Sequence, residues 1–160
     1  MQASLTRRQF GAFAGTVAAL VATSLSGCAA STNKRTVVCQ HQRTAEVYAS
    51  LDLELGTEIT LSWMHSIELT RWSDTFEVGD DGFRLIRTVF SSYGAGMPMD
   101  EGTLRHKGDN IIIEDIDRPF EAIRWVHSHA VDYRIAIDGD ETLLDATTLP
   151  DQELLELRVS

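Results

Sequence analysis

The stretch Val47-Tyr48-Ala49-Ser50-Leu51-Asp52-Leu53-Glu54-Leu55-Gly56-Thr57 decides the fold class. Apolar side chains at 47, 49, 51, 53 and 55 alternate with Tyr48, Ser50, Asp52 and Glu54. A period of two is a strand with one face in a core and one in water. Gly56-Thr57 turns the chain, and Ile59, Leu61, Trp63 and His65 then share one face of a second strand. Working outward, strands are predicted over 75–78, 83–90, 110–114, 123–127, 133–137 and 154–159. Between them fall Gly79-Asp80-Asp81-Gly82, Lys107-Gly108-Asp109 and Asp138-Gly139-Asp140, residues suited to tight turns. Beyond the N-terminal segment no ten residues keep a 3.6-residue period. About eight short strands predict an all-β domain over 45–160, an antiparallel sandwich or barrel.

The chain has 160 residues and a formal net charge of −10, from 14 basic and 24 acidic side chains. Both basic groups before residue 28 are arginines, Arg7 and Arg8, and no acid precedes that point, so the remainder carries −12. A field of that sign repels phosphate backbones, and nucleic acid is excluded as a partner. Only Lys34 and Lys107 are lysines. Few lysines and many carboxylates suit a halophilic setting, where salt screens self-repulsion.

Residues 1–27 read as an address. Thr6-Arg7-Arg8-Gln9-Phe10 is a twin-arginine signature, and an apolar run over 11–25 follows, too short for the roughly 20 residues of a spanning helix. Leu25-Ser26-Gly27-Cys28 resembles a lipobox, cut before the cysteine, whose thiol is then lipidated. The expectation is a cleaved lipoprotein signal peptide over 1–27, a lipidated Cys28 with a polar tether over 28–44, and a domain held at the outer face of the cytoplasmic membrane. Cys39 is the remaining thiol, and no motif around it suggests a nucleophile.

The densest chemistry lies in His65-Ser66-Ile67-Glu68, Asp74-Thr75-Phe76-Glu77 and Ser91-Ser92-Tyr93-Gly94-Ala95-Gly96-Met97-Pro98. A Gly-x-Gly loop can aim several N–H groups inward as an anion nest. Trp63-x-His65-Ser66-x-Glu68, the Phe76-Glu77 pair and Ser92-Tyr93-Gly94-Ala95-Gly96-x-Pro98 resemble a family of small exported proteins classed as a domain of unknown function. Its members are often encoded beside TAXI-type tripartite (TRAP) solute transporters, and the resemblance covers about residues 44–160. Arg71-Trp72 departs from it, standing where a proline-containing stretch is expected. The resemblance implies an accessory role near a solute transporter and supplies no activity.

Two readings of these residues stay open. His65, Ser66, Glu68 and Glu77, with Ser92, Tyr93, Gly94 and Gly96, could bind a small anionic solute or dock on a transporter component. They could equally form a polar network that fixes strand register. Catalysis is not expected: Ser66 and His65, as strand neighbours, point to opposite faces, and neither a Gly-x-Ser-x-Gly elbow nor a phosphate-binding loop is present. The alternative is a metal-binding protein. His127 and His129, two apart on a predicted strand, could grip zinc or copper, at about 2.0–2.1 Å for zinc, with His65, Glu68 or Asp132 as third ligand. Otherwise no cofactor is expected. Finally, Trp63-Met64-His65-Ser66 recurs as Trp125-Val126-His127-Ser128, each copy at the end of a predicted strand.

Overall fold

The computed structural model describes residues 33–91 and 101–160. Those residues form eleven strands in two antiparallel sheets, packed as a sandwich, which settles the choice between sandwich and barrel. The smaller sheet has the order β2-β1-β11-β9, from Val47–Glu54, Lys34–His41, Leu154–Val159 and Ala122–Val126. The larger has the order β10-β3-β4-β5-β7-β6, from Arg134–Ile137, Glu58–Met64, Arg71–Val78, Phe83–Phe90, Asn110–Glu114 and Thr103–Lys107. A short β8, Arg118–Phe120, also pairs with β5.

The predicted alternation builds the core. Leu53, Ile59, Leu61, Phe76, Phe83, Leu85, Ile135, Leu155 and Leu157 are buried between the sheets. Val47 is 53 % exposed, against expectation. Cys39 pairs with Ala49 but Gln40 pairs with Val47, so Tyr48 is an extra residue in the ladder. The bulge reverses the phase: Tyr48 packs against the core and Val47 turns outward.

Three strands were not expected. β1 lies inside the 28–44 segment read as a tether and is an interior strand with Val37 and Cys39 each 1 % exposed. The domain therefore reaches back at least to Lys34, and the polar reading of 34–44 is corrected. Only two buried residues in KRTVVCQH face the core, too few to stand out among polar neighbours. β6 is exposed along its whole length, so no apolar face marks it. β8 is three residues long. The signal segment and Cys28 lie outside the described residues.

One corner positions the site. β5 pairs with β7 through Thr88–Phe90 and with β8 through Phe83–Leu85, while the Ile116 N–H donates to the Ile86 carbonyl between them. The chain then crosses sheets at Glu121, from β8 to β9. A Cβ on Gly82 would stand 2.4 Å from the Phe120 carbonyl oxygen, so only glycine lets the β4–β5 turn meet this crossing.

Candidate functional site

Successive rungs of the larger sheet carry inward side chains that do not fill the space under β9. Trp63 stands opposite Trp72, Leu61 opposite Asp74, which is in turn opposite Thr88, and Phe76 opposite Leu85. Ile123 and Trp125 of β9, an edge strand, form the other wall, with Tyr133, Phe120, Arg118 and Arg124 completing it. The result is a cleft of about 360 Å³, within the range of small-molecule sites. All three tryptophans of the chain line it. Trp63 stacks on Trp72 at 6.1 Å between centroids, and Tyr133 lies 5.9 Å from Trp63 and 6.5 Å from Trp125.

Asp74 is the acid of the cleft lining. The Trp72 indole N–H donates to Asp74 Oδ1 at 2.9 Å, and the Thr88 hydroxyl donates to the same oxygen. Oδ2 has no hydrogen-bond partner among the described residues. Burial pushes the Asp74 carboxyl above its usual range, and the bonds from Thr88 and Trp72 oppose this without cancelling it. A carboxylate on an apolar inner face costs stability unless it is paired, and no basic side chain among the described residues pairs with it. Both arginines of the cleft are engaged elsewhere, Arg118 Nε with Glu101 at 3.1 Å and Arg124 Nε with Glu156 at 2.9 Å.

Asp74, rather than the expected Glu77, is the acid that lines the cleft. The signal was present: Trp72, Asp74, Phe76 and Val78 alternate, which puts an acid on the apolar face. Glu77 is on the strand next to β3, as expected, but its partner there is Glu58, whereas His65 follows the last pair, Met64 with Arg71. Seven residues of strand, about 23 Å, separate the two positions, so Glu77 does not join His65.

His65 and Glu68 do come together, in the β3–β4 turn, with His65 Nδ1 3.8 Å from Glu68 Oε2. That is beyond hydrogen-bond range, and His65 Nδ1 is buried without a hydrogen-bond partner among the described residues. His65 packs on Trp72 at 6.0 Å, behind the cleft wall, and Ser66 is exposed in the turn. Ser92, Tyr93, Gly94 and Gly96 lie outside the described residues, as does Pro98.

The histidine pair is arranged differently from its strand reading. β9 ends at Val126, and His129 begins a 3-10 turn over His129–Val131. The rings meet edge to face at 5.2 Å. His127 is 1 % exposed, and its Nδ1 accepts from the Trp125 indole N–H at 3.2 Å. Burial, with His129 beside it, lowers the His127 pKa, which favours the neutral ring; with Nδ1 accepting from the indole, that ring's proton falls on Nε2, which is buried without a hydrogen-bond partner among the described residues. His129 Nε2 lies 3.0 Å from the Leu149 carbonyl. Among the described residues no three His, Cys, Asp or Glu side chains gather where they could hold a metal, so His65 does not join this pair. The role the geometry gives His127 is to orient Trp125. The repeated Trp-x-His-Ser motif thus supplies one tryptophan from each sheet to one cleft.

Fold and site together define an antiparallel β-sandwich with an aromatic cleft that holds one half-buried carboxylate. A family model described as a domain of unknown function, DUF1850, matches residues 59–144, and the chain belongs to that family. The matched span runs from β3 through β10, includes every residue that lines the cleft, and leaves out β1, β2 and β11. No curated protein and no solved structure matches the chain.

Proposed function

We propose that this protein is an exported, lipid-anchored, non-enzymatic component that binds a small solute beside a TAXI-type TRAP transporter. The cleft between β9 and the larger sheet carries the reading. It offers a ligand-sized space, aromatic walls and one under-satisfied polar atom, the combination that small-molecule sites present. Export and anchoring rest on the twin arginines, the apolar run and Leu25-Ser26-Gly27-Cys28, and the transporter on the family resemblance. The solute site moves from the His65 turn, where the sequence reading set it, to the cleft, with His65 behind Trp72.

Native mass spectrometry of the full chain, purified in detergent from cells that make it, tests this reading. The expected spectrum carries a bound organic mass that disappears on unfolding. A bare polypeptide mass under conditions that preserve the fold contradicts it.

A further inference from the structure

We propose that the cleft takes a protonated organic amine, with its ammonium on Asp74 Oδ2 and its apolar body against Trp63, Trp72, Trp125 and Tyr133. This rests on reading the cleft as the solute site and adds the charge and class of the solute. Three observations lead to it.

Both internal donors, from Trp72 and Thr88, fall on Oδ1, so the carboxylate is held rigidly while its second oxygen has no donor among the described residues. A rigid acceptor in a space of about 360 Å³ asks for an N–H donor, and a charged donor makes the stronger bond. Next, the local charge is uncompensated. Arg118 and Arg124 are tied to Glu101 and Glu156, and Glu156, with a side chain only 5 % exposed, also takes the Gln40 amide at 2.8 Å. A carboxylate solute would meet Asp74 with like charge, and each arginine of the cleft already shares its charge with a glutamate through Nε. This reverses the sign expected from sequence, a small anionic solute.

Third, the walls are ring systems. A cation within about 6 Å of an indole or phenol face is attracted by the ring quadrupole, and the attraction grows as water is excluded. The rings of Trp63, Trp125 and Tyr133, in the same cleft as the carboxylate, therefore suit an ammonium group attached to an apolar body, while the Trp72 ring is stacked by Trp63 and Phe90 and gives its N–H edge to Asp74.

The test uses the full chain in detergent and a pair of probes with the same phenylethyl body and opposite charge, 2-phenylethylammonium and 3-phenylpropionate. Intrinsic tryptophan fluorescence reads binding without a label. The expected result is saturable binding of the ammonium at least about tenfold tighter than of the carboxylate, with a loss of at least about tenfold in Asp74→Asn. Trp63→Leu, at a half-buried position, weakens ammonium binding as well and serves if Asp74→Asn does not fold. Carboxylate binding that equals or exceeds ammonium binding overturns the proposal but leaves the cleft as a solute site. Unchanged ammonium affinity in both variants overturns the proposal too. Binding of neither probe also overturns it, and the native mass then decides separately whether any solute is carried.

Discussion

Replacing Asp74 in two ways separates its charge from its hydrogen bonds. Asp74→Ala removes the acceptor of the Trp72 indole N–H and of the Thr88 hydroxyl, in residues 7 % and 1 % exposed. An orphaned buried donor costs about 1–3 kcal/mol, but Thr88 Oγ1 retains a weak contact with the Ser73 carbonyl at 3.4 Å, so the sum is about 2–4 kcal/mol. Asp74→Asn keeps an oxygen where Oδ1 stands and removes only the charge. Because burial raises the folded-state pKa above the unfolded one, the folded protein binds the extra proton, and wild-type stability falls as pH rises between the two values. Above both, the wild type bears the full cost of the charge. Below the unfolded value, about 4, it bears none. At neutral pH Asp74→Asn is therefore at least as stable as wild type, and Asp74→Ala is about 2–4 kcal/mol less stable than Asp74→Asn. Urea unfolding followed by tryptophan emission across a pH series measures this. If Asp74→Asn loses as much as Asp74→Ala at neutral pH, the fold itself needs the carboxylate charge, and the argument for a ligand to balance it collapses.

Other perturbations follow from the same geometry. Gly102 has φ +78° and a Cβ there would stand 2.3 Å from the Glu114 carbonyl oxygen, whereas Gly108, at φ +61°, faces open space. Gly102→Ala should cost clearly more than the roughly 1 kcal/mol expected of Gly108→Ala in thermal or urea unfolding; equal costs would contradict the packing of this turn. Burial pushes the Cys39 thiol up to about 12, so iodoacetamide should label it only after denaturation, and rapid labelling of native protein would show that β1 is not an interior strand. Leu155 is 0 % exposed in β11, and Leu155→Ala should cost about 2–5 kcal/mol by denaturant titration; a loss below 1 kcal/mol would mean that the two sheets do not close over it. Cys28→Ser should release the protein from the membrane fraction, and retention would contradict a lipid anchor.

The fold was legible where alternation was strong. Residues 47–55 and 59–65 correspond to β2 and β3, and the aspartate- and glycine-rich turn at 79–82 joins β4 to β5. It failed where the ladder itself carried the information. β6 is an exposed edge, recognisable only through its pairing with β7, and the bulge at Tyr48 exists only relative to β1. The site was partly legible. The Trp-x-His-Ser echo marked two residues that line one cleft, Trp63 and Trp125, yet nothing local states that strands from opposite sheets face each other. Glu77 attracted attention as an acid near an aromatic residue, but register places it opposite Glu58, and Asp74 was the inward acid. The histidine pair read as a metal clamp because strand spacing was assumed through residue 129, where the chain has already turned.

The claim that the cleft is the binding site is tested most directly by the indole N–H signals of the three tryptophans, Trp63, Trp72 and Trp125, in a nitrogen-15 correlation spectrum. Titration of the full chain with 2-phenylethylammonium should move all three, Trp72 most because its N–H is bonded to Asp74. The backbone amides of Glu58 and Arg87, an ion pair whose side chains are 44 % and 37 % exposed, should stay in place. Three stationary indole signals, with shifts confined to the His65 turn or to any other surface, would contradict the account.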